Sequence, residues 1–73
     1  MDITDITLHI ATSLDHEEQQ ALEAAMRETD GVIAPRFNKP QLLVVSYNPQ
    51  QVDAARLLRV VTQRGHEAQL IGM

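Results

Sequence analysis

Cysteine is absent from this 73-residue chain. Its absence excludes disulfides, iron–sulfur clusters, thiolate zinc sites and cysteine nucleophiles. Tryptophan is also missing, and one Phe and one Tyr are the only other large rings. Bases are scarce: six Lys and Arg stand against ten Asp and Glu, for a net charge of −4. A chain short of both bases and rings lacks the charged groove and the stacking platforms of nucleic-acid binders. No run approaches the roughly 18 apolar residues that a membrane span requires. Asp2 and Asp5 stand where a secretory leader would carry Lys or Arg, so the expected compartment is the cytoplasm. The three glycines are dispersed, which leaves no phosphate-cradling loop. A core this thin, worth ~3–5 kcal/mol of net stability, leaves little room for a deep catalytic pocket, and no enzyme is expected.

What is present describes one folded domain over residues 1–73. Hydrophobic residues make up 44% and charged residues 22%, a globular profile. Met1 and an ending just after the last expected strand fit an intact small protein.

Ile6-Thr7-Leu8-His9-Ile10 alternates strictly, which predicts a half-buried strand with Ile6, Leu8 and Ile10 inward. Ala21, Leu22, Ala25 and Met26 then recur at helical spacing. Asp15 and Glu18 read as a capping box at the start of that helix, and Asp30-Gly31 as its stop. Val32 to Phe37 predicts a strand that Pro35 confines to an edge or a bulge. Asn38 to Gln41 forms the hairpin loop. Leu42 to Tyr47 is apolar on both faces, as a central strand should be. Asp53 caps a second helix that begins at Ala54, with Val52 and Leu57 as a hydrophobic staple. Leu57, Leu58 and Val61 supply the buried stripe of this helix. Arg64 sits in its last turn, where a cation suits the dipole, and Gly65 terminates it. His66 to Met73 reads as the last strand, with Ala68 and Leu70 on one face and Gln69 and Ile71 on the other.

The order βαββαβ, with right-handed crossovers, gives a ferredoxin-like α+β sandwich. Four antiparallel strands form one sheet, both helices cover one face, and the other face meets solvent.

From Gly31 onward the sequence resembles the heavy-metal-associated domain of copper chaperones and of metal-ATPase N-termini. The likeness rests on Gly31-Val32, Tyr47-Asn48-Pro49, Val52-Asp53, Leu57-Leu58, Val61 and Gly65-His66-Glu67-Ala68. It runs without a gap from Tyr47 to Leu70, and the hairpin is about one residue short. The family holds soft metal with Gly-Met-Thr-Cys-x-x-Cys at the junction of the first strand and first helix. Counted back from Gly31, its cysteines fall on Asp15 and Glu18 and its Met on Ser13. Soft Cu(I) prefers thiolate and thioether, so ordinary Cu(I) delivery does not carry over.

The resemblance implies that His66 lies beside this corner, near Asp15. Asp15, His16, Glu18 and His66 would then suit Zn(II), Co(II), Ni(II), Cu(II) or Fe(II). The corner has two readings: a weak divalent site built from N and O ligands, or a helix cap and nothing more. His9, on the open face of the first strand, is expected to lie remote from it.

Leu42, Val44 and Ile71 should point to the open sheet face, with Ala34 and His9 nearby, as the start of an apolar contact patch. Charge is polarised as well: residues 15–30 sum to −5, whereas residues 53–64 sum to +2. The resemblance implies docking by opposed charge at the helix pair. The expected partner is a protein, either a metal transporter, a chaperone-like target or a second copy. The loop from Ala11 to Leu14 carries no base to cradle a phosphate. His9 and Val44 occupy positions where RNA-recognition modules of the same topology carry stacking rings. Two functions follow as alternatives: a metal-handling domain without thiolates, or an interaction module that has lost its metal.

Overall fold

A computed structural model of the chain describes residues 2–71. The elements are β1 (Thr4–Ile10), α1 (His16–Arg27), β2 (Val32–Lys39), β3 (Leu42–Tyr47), α2 (Ala54–Gln63) and β4 (Ala68–Ile71). The strands form one antiparallel sheet in the order β2-β3-β1-β4. This is the ferredoxin-like sandwich that the element order implies.

Alternation places the core on one side of the sheet. Ile6, Leu8 and Ile10 of β1 and Leu43, Val45 and Tyr47 of β3 are buried against Leu22 and Met26 of α1 and Leu57 and Val61 of α2. Burial of such side chains contributes about 1.5–3 kcal/mol each against leaving them in water. Leu42 and Val44 alternate to the opposite face, which makes β3 apolar on both sides and central in the sheet. Pro35 lies on edge strand β2, opposite Val45 and beside a register shift, as a proline in a sheet requires.

The boundaries differ from the expected ones in a few places. Strand β1 starts two residues early, at Thr4. Strand β2 continues through register shifts at Val32/Ala34 and Phe37/Lys39, so Lys39 still pairs with Leu42 and only Pro40 and Gln41 turn the chain. Helix α1 ends at Arg27 rather than Asp30; beyond it the Thr29 N–H donates to the Met26 carbonyl at 2.9 Å, the tighter i→i−3 bond of a closing turn. Strand β4 covers only Ala68–Ile71 of the expected His66–Met73. Gly72 and Met73 lie outside the described residues. Leu70, expected in the core beside Ala68, is 42% exposed, because β4 is a short edge strand with no neighbour beyond it.

Gly31 closes the turn after α1 with φ of 98°, a region that suits residues without a Cβ. Its carbonyl accepts from the Asn48 N–H at 2.8 Å, which ties this turn to the end of β3.

Candidate functional site

The corner between β1 and α1 is fixed before any side-chain chemistry begins. The Gln41 side-chain amide donates to the carbonyls of Ile10 at 3.2 Å and Ala11 at 3.0 Å. The Ala11 N–H donates to the Glu67 carbonyl at 2.8 Å, which joins the loop before α1 to the segment before β4. The Gln19 amide donates to the Leu14 carbonyl at 2.7 Å, and Leu14 is buried as an apolar plug. The segment from Ala11 to Asp15 is thus held by the hairpin, by the segment before β4 and by α1 itself.

On that frame Asp15 is the N-cap, accepting the Glu18 N–H at 2.8 Å. This satisfies one of the helix's orphan donors and is worth about 1 kcal/mol. The other half of the expected capping box is diverted. The Glu18 carboxylate turns away to the far end of α2, where Arg64 Nε donates to Oε2 at 3.0 Å and Nη2 to Oε1 at 3.2 Å. His66 Nε2 lies 2.8 Å from the same Oε2. The result is one carboxylate gripped by a planar two-pronged cation and an imidazole.

The hydrogen bonds from Arg64 and then His66 hold the Glu18 carboxyl down from the ordinary 4.5 to about 2, against a smaller opposing cost of burial. The same bond raises the Arg64 guanidinium above its ordinary value. The cluster is only partly buried, so solvent screening limits its contribution to about 1 kcal/mol.

The four residues singled out as ligands take different parts. Glu18 and His66 meet. Asp15 caps the helix, and His16 opens it from an exposed position. Among the described residues no group of three or more His, Cys, Asp or Glu is gathered as a metal would need. Arg64, read from sequence as a partner for the α2 dipole, is the residue that sequence reasoning missed. Its proximity to His66 in the chain was the available signal, because a loop that carries His66 to Glu18 carries a base two residues earlier to the same place. His9 and His66 both line one open cleft, together with Gly65 and Glu67.

On the open face, Val44, Thr7 and Ile71 lie in register across β3, β1 and β4, and Leu42 pairs with His9. Leu42 and Val44 are half-buried and Ile71 is 43% exposed. Elsewhere, a shallow groove follows the two helices, with Glu28 and Asp30 on one wall and Arg56 and Arg59 on the other. Among the described residues, neither of these two arginines takes part in an ion pair.

Three solved structures superpose on nearly the whole chain. A copper-binding domain of a P-type ATPase matches with a TM-score of 0.85 and 17% identity, over 93% of either chain. The CopZ metallochaperone matches with a TM-score of 0.83 and 18% identity, over 90% of this chain and 100% of its own. The Cu(I)-loaded N-terminal domain of a potential copper-translocating P-type ATPase from Bacillus subtilis matches with a TM-score of 0.84 and 19% identity, over 97% of this chain and 90% of its own. This chain has their fold. The resemblance to heavy-metal-associated domains read from the sequence therefore holds at the level of architecture. No family model and no curated protein matches the sequence. The chain has no cysteine, so it shares the heavy-metal-associated fold without the paired thiolates of the Cys-x-x-Cys motif.

Proposed function

We propose that this chain is a docking domain of the metal-trafficking type that works in the cytoplasm without carrying the metal itself. The observation that supports this most is the grip of Arg64 on Glu18. The resemblance aligns Glu18 with the second cysteine of the thiolate-bearing domains, and in this chain that carboxylate is taken by the guanidinium of Arg64, from the end of α2. The position is filled by an internal cation and the cargo site is given up. We read its role as binding rather than catalysis.

The partner is a protein, either a metal transporter or a chaperone-like target. Two surfaces serve it. The apolar row of Leu42, Val44 and Ile71 supplies contact area, and the acidic α1 beside the basic α2 supplies orientation and speed of encounter. A second copy of the chain is the alternative occupant.

One observation favours a different reading. Glu18 and His66 already stand 2.8 Å apart, as an oxygen and a nitrogen donor. With Asp15 and His16 alongside, a weak site for Zn(II), Ni(II), Co(II) or Cu(II) is the second function to weigh.

Calorimetric titration of the chain with Zn(II), Ni(II) and Cu(II), and with Cu(I) under nitrogen, separates the two. The docking reading expects no saturable one-equivalent binding. A one-to-one isotherm that Glu18→Gln and His66→Ala both weaken establishes the second reading instead.

A further inference from the structure

We infer that Arg64 is a built-in cation that excludes divalent metal from the Glu18–His66 pair. The inference rests on the metal-free reading above and gives it a cause. Without cysteine the corner still offers a carboxylate and an imidazole that touch, on backbone already held in place by Gln41, Gln19 and the Ala11–Glu67 bond. Such a pair is the nucleus of a site for a hard or borderline divalent ion. Arg64 closes it in two ways. Its fork takes both carboxylate oxygens, Oε2 through Nε and Oε1 through Nη2. Its charge lies within 3.2 Å of those oxygens, so an arriving dication would meet a cation already seated among its ligands. A guanidinium is not deprotonated in proteins, so this occupant does not leave as pH changes, as a lysine could.

Glu18 carries the two roles in sequence. Its backbone N–H belongs to the Asp15 cap and its carboxylate to Arg64, so the cap survives if Arg64 is removed. That separation makes the inference testable on a folded protein. Arg64→Gln removes the charge and frees both oxygens while leaving Glu18 and His66 in place. Arg64→Lys keeps a charge at the same position. Arg64→Met, which keeps an apolar stem, serves if the Gln variant is unfolded.

Amide spectra of the wild type and each variant are recorded while zinc chloride is added. Arg64→Gln is expected to show shifts confined to residues 16–18 and 65–67, saturating at one equivalent. Its apparent affinity should be at least about tenfold above that of the wild type, as removal of an adjacent like charge implies. Arg64→Lys is expected to resemble the wild type, and His66→Ala added to Arg64→Gln should abolish the gain. A well-dispersed Arg64→Gln (or Arg64→Met) spectrum that responds to zinc no more than the wild type overturns the inference and leaves the docking reading standing. Tight saturable binding by the wild type overturns the docking reading itself.

Discussion

Gly31 and Gly65 each follow a helix, and each holds a positive φ, 98° and 89°. Their surroundings are opposite. A Cβ placed on Gly31 would lie 2.7 Å from Val52 Cγ1 and 3.0 Å from Gln51 Cβ, whereas one on Gly65 would meet nothing within 4 Å. The end of the molecule around Gly31 is assembled by contact: the turn after α1 is pressed against the residue that precedes the α2 cap. The end around Gly65 leaves that glycine uncrowded and carries a charge cluster at the surface, with Glu18 joined to Arg64 and His66. Packing tolerates little change, while a surface ion cluster can be rewritten one residue at a time. The Gly31 end therefore tolerates substitution less than the Gly65 end.

Gly31→Ala should break this contrast most severely. It combines an unfavourable φ with a clash against Val52, and a loss of about 2–3 kcal/mol is expected. Urea denaturation of the variant would register it as a lower midpoint at unchanged slope. Gly65→Ala meets only the φ cost and should lose about 1 kcal/mol. Equal losses at the two glycines would mean that the Val52 contact is relieved by movement and that the two ends are not built differently.

Glu18→Gln is expected to cost about 1 kcal/mol at neutral pH, since a partly exposed cluster is screened. A double-mutant cycle with Arg64→Gln should recover most of that loss as coupling. The pH dependence has a fixed sign. The Glu18 carboxyl is depressed in the folded protein from 4.5 to about 2, so its contribution is complete above pH about 4.5. It fades as pH falls from there towards about 2. The gap in stability between wild type and Glu18→Gln should close over that window, and a gap unchanged down to pH 2 would show that the ion cluster is not its source.

The sequence made the Gly31 end far more legible than the Gly65 end. Gly after a helix, Val52 before an Asp cap and Leu57 four residues beyond it are local signals, and each is realised: Asp53 accepts the Arg56 N–H at 2.8 Å, with Val52 and Leu57 buried. Strand alternation likewise marks the buried face of β1 and β3 residue by residue. The other corner depends on residues 46 and 48 positions apart, Glu18 with Arg64 and with His66. Topology brings those segments together, but no local rule says whether Glu18 turns back to its own helix cap or across to a guanidinium. Donor number and charge favour the second: the helix start offers the carboxylate the Asp15 N–H, while Arg64 offers two donors and a positive charge. Leu70 lies on the face that alternation assigns, opposite Leu8, but alternation does not reveal that an edge strand leaves it 42% exposed.

The central claim is that the Arg64 guanidinium holds the Glu18 carboxylate, at the position the sequence resemblance aligns with the family's second cysteine, and keeps divalent metal away from it. The Arg64 Nε–H resonance of the intact chain, followed during addition of Zn(II), tests it most directly. The account predicts a resolved signal, protected by Glu18, that keeps its position through several equivalents of the ion. A signal that shifts and exchanges into solvent as one equivalent is added would show that the metal displaces Arg64, and would contradict the account.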